Sequence, residues 1–131
     1  KNALSERVWL KSGAYLVIQP TEALTVVDVN TGKNVAKKEM QENFLRVNKE
    51  AAEEIARQLR LRNLSGMVLV DFINLTSKSA EEELLKTFRA ALQKDPVPAQ
   101  LIDMTALGLV EVTRKKIKRP LHEIFPDGLG F

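Results

Sequence analysis

An α/β domain built on one mixed β-sheet is the fold class this sequence predicts, and three observations predict it. Short apolar or alternating runs punctuated by turn residues occupy residues 7–30 and return at 67–73 and 100–113. Apolar residues spaced near 3.6 positions run from Gln41 to Arg62 and again after Ser79. The two periods alternate, giving the order β-β-β-α-β-α-β-β, which places helices against a single sheet rather than in a separate bundle.

The elements follow in chain order. Residues 7–11 (RVWLK) and 14–19 (AYLVIQ) flank Ser12-Gly13, a dipeptide suited to a tight turn, and read as a hairpin. Pro20 and Thr21 interrupt, and Leu24 to Asn30 forms a third strand whose valines favour extended backbone. Residues 31–40 are a polar, lysine-bearing loop. A long amphipathic helix then spans 41–62, with Phe44, Ala52, Ile55 and Leu59 on its apolar stripe, Glu53 set to pair with Arg57, and Asn63 and Gly66 as stop signals. Residues 67–73 (MVLVDFI) are apolar on both faces, as for a central strand covered on both sides. Ser79 and Glu82 form a capping box for a second helix that buries Leu84, Leu85, Phe88, Ala91 and Leu92 and stops before Pro96 and Pro98. Two further strands, 100–104 and 109–113, turn through Gly108.

With 131 residues the chain fits one domain, 1–131, with residues 120–131 as a tail. A hydrophobic content of 44% with 28% charged residues suffices for a globular core. The absence of cysteine removes disulfides, thiolate nucleophiles and cysteine-held zinc, and a lone histidine, His122, makes a Ser-His-Asp triad improbable. No apolar run reaches the ~20 residues of a membrane span, and the start lacks a signal-peptide core, so the default expectation is cytoplasmic with no membrane partner. The chain opens without methionine and closes on PDGLGF, so a piece of a longer protein is expected.

The candidate site comes from topology. Strand 24–30, helix 41–62 and strand 66–73 make a βαβ unit, whose strands run parallel and share a carboxyl edge. Asp28 and Asp71 stand near the ends of those strands, at the rim where open α/β sheets bind ligands. Two carboxylates without a basic residue between them repel unless a cation intervenes, and Mg²⁺ suits one or two carboxylates supplemented by water and phosphate oxygens. Asn30, on the face of Asp28, is placed to orient a carboxylate. The competing reading is structural, since Asp and Asn at strand ends also cap turns. The net charge is +3 and the pI about 9.3. Lys33, Lys37 and Lys38, with Arg114, Lys115 and Lys116 in the run RKKIKR, are candidates for weak phosphate contact, though a basic run is more often a solvated surface. Trp9, Tyr15 and Phe44 read as core or rim packing rather than a base-stacking platform.

The stretches SGAYLVIQPTEALTVVDVNTGK, NKEAAEEIARQLRLRNLSGMVLVDFINL and GLVEVTRKK resemble the carboxyl-terminal part of the catalytic region of the ribonuclease E/G family, from about Arg7 to Arg119. The resemblance implies a deoxyribonuclease-I-like subdomain carrying the catalytic centre of an RNA endonuclease. It implies that Asp28 and Asp71 bind one Mg²⁺, that Asn30 supports them, and that hydrolysis leaves a 5′-phosphate and a 3′-hydroxyl. It also implies upstream RNA-binding domains in the same parent chain. Three departures accompany it: Asn74 stands where the family has an acid, Pro96 and Pro98 replace basic residues, and the cysteine pair behind the family's zinc-bridged dimer is absent. The sequence therefore predicts a Mg²⁺-dependent endoribonuclease subdomain acting on single-stranded RNA, with no zinc-bridged dimer. The alternative is a noncatalytic RNA-binding or scaffold module that keeps the fold.

Overall fold

Alternation of buried and half-exposed residues organises the sheet. The structure, a computed structural model, describes residues 6–31 and 40–116. Six strands, β1 (Glu6–Trp9), β2 (Tyr15–Pro20), β3 (Thr25–Asn30), β4 (Gly66–Asp71), β5 (Ala99–Met104) and β6 (Val110–Arg114), are joined by two helices, α1 (Met40–Leu61) and α2 (Lys78–Leu92). The order along the chain is the one the two periods predict. In space the strands lie β1-β2-β3-β4-β6-β5, with β3 and β4 parallel and every other neighbouring pair antiparallel.

One face of the sheet forms the core. Leu16, Ile18, Val27, Val29, Val68, Val70, Val110 and Val112 are buried there, and they share a single cluster with Ile55 and Leu59 of α1 and Leu84, Phe88 and Leu92 of α2. The opposite face is open. Its residues on β2, β3 and β4, such as Tyr15, Val17, Val26 and Leu69, are half-buried. This corrects the expectation that β4 is covered on both sides: Met67 on the open face is 39% exposed. The apolar run is longer than the strand because Phe72 belongs to the turn beyond it, where its ring meets Phe88 edge-on at 5.5 Å and 85°.

The helix ends follow their local chemistry. At the end of α1, Asn63 adopts a left-handed φ of 51°, the Leu64 amide donates to the Leu59 carbonyl (3.0 Å) and the Asn63 amide to that of Arg60 (3.2 Å), which closes the last turn in a Schellman motif. The cap of α2 is Ser77, not Ser79: its hydroxyl accepts from the Ala80 amide, so the helix starts one residue before the expected cap. The helix also ends at Leu92, four residues short of Pro96. Arg57 pairs with Glu54 at 2.8 Å, while Glu53, expected to be its partner, faces Lys94 of the segment after α2 at 3.6 Å.

Arg114 was expected at the surface, and the structure places it inside. It is 3% exposed and its guanidinium donates to Asp95 (2.7 and 3.2 Å), to the Asn63 side chain (3.0 Å) and to the Leu64 carbonyl (2.9 Å). Every second residue of β6 faces the core, and position 114 shares the face of Val110 and Val112. The ion pair ties the end of β6 to the exits of both helices. Burial by itself would raise the Asp95 carboxyl, but the Arg114 and Val97 hydrogen bonds and the charges of Arg114 and Arg60 outweigh it and hold it below its ordinary value. Asp95→Asn leaves the guanidinium buried without its counter-charge, so the expected loss in a urea unfolding curve at neutral pH is about 3–5 kcal/mol. A depressed carboxyl contributes its stability above the unfolded value and loses it as pH falls through the folded one, so the gap between parent and variant should narrow in acid.

Candidate active site

The parallel pairing of β3 with β4 sets the geometry of the acids. In that ladder Asp28 stands directly opposite Asp71, and both lie on the open face because Val27, Val29 and Val70 take the core positions beside them. Neighbouring strands lie about 4.8 Å apart, so the two carboxylates leave the backbone as adjacent neighbours. The alternation of the strands and the register of the crossover thus bring together residues separated by 43 positions (71 − 28).

The electrostatics of the pair, among the described residues, are those of like charges without a counter-ion. Among the described residues no ion pair reaches either acid. Partial desolvation, and then the charge of Asp28, push the Asp71 carboxyl above its ordinary value. Asn30 lies on the same face and its Nδ2 donates to Oδ2 of Asp28 at 3.2 Å, which fixes that carboxylate and leaves its other oxygen open. No cluster of three or more His, Cys, Asp or Glu side chains occurs among the described residues, so the donor set is two carboxylates. That set fits Mg²⁺, which keeps several waters and takes further oxygens from phosphate, and it does not fit a closed structural zinc.

A residue that sequence reasoning missed holds the second acid in place. Asn48 of α1 is fully buried; its Nδ2 donates to the Ile73 carbonyl (2.8 Å) and its Oδ1 accepts from the Ile73 amide (3.0 Å). This two-point clamp fixes the backbone two residues beyond Asp71. The signal was present in the sequence: Asn48 falls in step with Phe44, Ala52, Ile55 and Leu59, and an amide within an apolar stripe needs a buried partner. Beyond Asp71 a cleft of about 150 Å³ opens, lined by Asp71, Asn74, Glu81, Met104 and Leu107 among others.

The basic candidates among the described residues are not brought to this rim. Lys115 and Lys116 are exposed, but Arg114 pairs with Gly66 at the start of β4, so they lie at the opposite end of the sheet from Asp71. Five strand steps of about 3.3 Å make that separation roughly 17 Å. Lys33, Lys37, Lys38 and His122 lie outside the described residues. No helix described is long and apolar enough to cross a membrane.

Comparison with known proteins identifies the family. A profile of the Ribonuclease E/G family matches residues 1–117. The chain belongs to the ribonuclease E/G family. It is 47% identical over 127 residues to a ribonuclease E of Nostoc sp. (strain PCC 7120), covering 97% of this chain and 18% of that protein. It is 42% identical over 124 residues to the ribonuclease G of Escherichia coli K12 and 40% identical over 127 residues to that of Haemophilus influenzae, covering 95% and 97% of this chain. The chain spans roughly a fifth to a quarter of the length of these relatives, between 18% and 26%.

A carboxylate whose affinity for its proton is raised by the fold stabilises the fold less when it is charged. The contribution lost at neutral pH returns as pH falls through the folded value. Asp71→Asn should therefore melt at the same temperature as the parent or higher at neutral pH without metal, and the difference should vanish in acid. Mg²⁺ should then raise the melting temperature of the parent more than that of the variant. If the carboxylate instead satisfied a turn, the variant would lose about 1–3 kcal/mol with or without the ion.

Proposed function

We propose that this chain is the catalytic subdomain of a Mg²⁺-dependent endoribonuclease that hydrolyses single-stranded RNA to products with 5′-phosphate and 3′-hydroxyl ends. One observation carries the reading: Asp28 and Asp71 are register partners on the open face of a parallel strand pair, with Asn30 bonded to the first and no basic side chain among the described residues to neutralise them. Membership of a family whose relatives are named ribonucleases supports it. The cytoplasm, where RNA is processed, is the compartment this reading implies.

The chain's own residues have separate tasks. Asp28 and Asp71 would hold the ion, Asn30 restrains the rotation of Asp28, and Asn48 fixes the turn that follows Asp71. When bound there, Mg²⁺ supplies a more acidic water and positive charge against the phosphate oxygens. The open face admits an unpaired strand, because no helix or loop described covers it. RNA-binding domains elsewhere in the parent polypeptide would supply most of the affinity, since among the described residues no ion pair reaches the acids.

The test is cleavage of an end-labelled, unstructured RNA by the full natural polypeptide in Mg²⁺. Asp28→Asn and Asp71→Asn should each abolish measurable turnover, and Asn30→Ala should lower it about 10- to 100-fold, as loss of a partner that orients a metal ligand does. A chelator should reproduce the aspartate phenotype. Parent-like cleavage by either aspartate variant would remove the basis of the assignment.

A further inference from the structure

The open face of the sheet carries a second cluster, two strands from the acids. Trp9 of β1 and Tyr15 of β2 are register partners, with ring centroids 4.9 Å apart and planes inclined at 50°. The Arg7 guanidinium carbon lies 4.3 Å from the centre of the tyrosine ring and 5.7 Å from that of the tryptophan. Trp9 is 60% exposed. Sequence reasoning placed these aromatics in the core or at its rim; Phe44 does pack against the core, and Trp9 does not.

The register connects this cluster to the acids. Trp9, Tyr15 and Asn30 form one row across three strands, and Arg7, Val17, Asp28 and Asp71 form the next row across four. At about 4.8 Å per strand, β1 lies roughly 10 Å from Asp28 and roughly 14 Å from Asp71, along the sheet and on the same side. We propose that Arg7, Trp9 and Tyr15 form a stacking subsite for an unpaired nucleobase of a single-stranded RNA whose neighbouring phosphodiester lies at Asp28 and Asp71. The proposal rests on the ribonuclease reading and adds to it the part of the substrate recognised away from the bond that is cut.

The chemistry favours RNA over a protein as the occupant. A base presents a π-face whatever its identity, and exposed aromatic rings accept it without demanding sequence. An arginine lying on the rings supplies a second stacking plane and a positive charge for the adjoining phosphate. The face between the cluster and the acids is mixed: Val17 stands between Arg7 and Asp28 in one row and Asn30 beside Tyr15 in the other, so no continuous apolar patch of the kind found in the core of a permanent protein interface joins them. A strand of RNA laid across β1, β2, β3 and β4 would meet the rings first and the acids last.

Trp9 is the chain's only tryptophan, so its fluorescence reports the subsite directly. The experiment titrates the 131-residue chain with a short oligouridylate in chelator, where nothing is cut, and with an abasic ribose-phosphate oligomer of equal length. Quenching by the first and little by the second is the expected result. Anisotropy of labelled oligouridylate should show affinity reduced about 5- to 100-fold in Trp9→Ala, the range for one stacked base, and nearly kept in Trp9→Phe, which preserves a ring. Equal quenching by the abasic oligomer, or unchanged affinity in Trp9→Ala, overturns the subsite. So does a Trp9→Ala variant that binds RNA normally but loses association with a second copy or with a protein partner. Cleavage is read separately: a chain that cuts RNA without quenching refutes the subsite alone, and one that quenches but is never cut-competent in the full polypeptide refutes the ribonuclease reading alone.

Discussion

The parallel pairing of β3 with β4 is the constraint on which the rest of the arrangement depends. It is the one parallel contact among the described strands, and α1 is its crossover. It decides which residues of each strand face the helices, because a shift of one position would exchange the valines for the acids. Val27, Val29, Val68 and Val70 hold the register by being buried, and Asp28 and Asp71 are opposed as a result. The repulsion between the acids is thus maintained by apolar burial elsewhere in the same strands. Two carboxylates held side by side require such a source of energy, because nothing in the acids themselves favours their closeness.

The core lies on one face, and this explains the division of labour. Both helices cover the same side, so among the described residues the side chains of the other face are left uncovered by either helix. Asn48 links the two sides: it sits in the helix layer but bonds to the backbone of Ile73, just past the strand that presents Asp71. Arg114 performs a comparable task at the opposite end, where it gathers Asp95, Asn63 and Leu64 around the last residue of β6. Both are buried polar groups with every partner supplied by the fold, and no buried side-chain nitrogen or oxygen described lacks one.

Much of this was legible in the sequence because periodicity is a local property. The order of eight elements, the crossover and the meeting of Asp28 with Asp71 followed from the change of period at Gln41 and from the rule that parallel strands share an edge. Residues whose roles depend on distant partners were less legible. Arg114 belongs to a basic run and reads as surface, since only the position of Asp95 reveals that it is an ion pair. Glu53 and Glu54 are both within reach of Arg57 on a helix, and the approach of Lys94 decides between them. Ser77 and Ser79 offered alternative caps two residues apart, and local sequence did not separate them. The two-sided burial expected of β4 failed because an apolar run cannot distinguish a covered strand from one whose last residues turn into the core, as Phe72 does.

The separation of 43 positions between the paired acids also bears on when the site exists (71 − 28). No contiguous segment shorter than strand, helix and returning strand contains both, so no local folding event creates the pair. Until β4 has been made and docked, Asp28 stands on an open strand edge with only Asn30 beside it. A nascent polypeptide that has not yet been made as far as Asp71 lacks the paired carboxylates. The topology makes the pair a product of tertiary assembly, which no single strand or hairpin of the chain can form on its own.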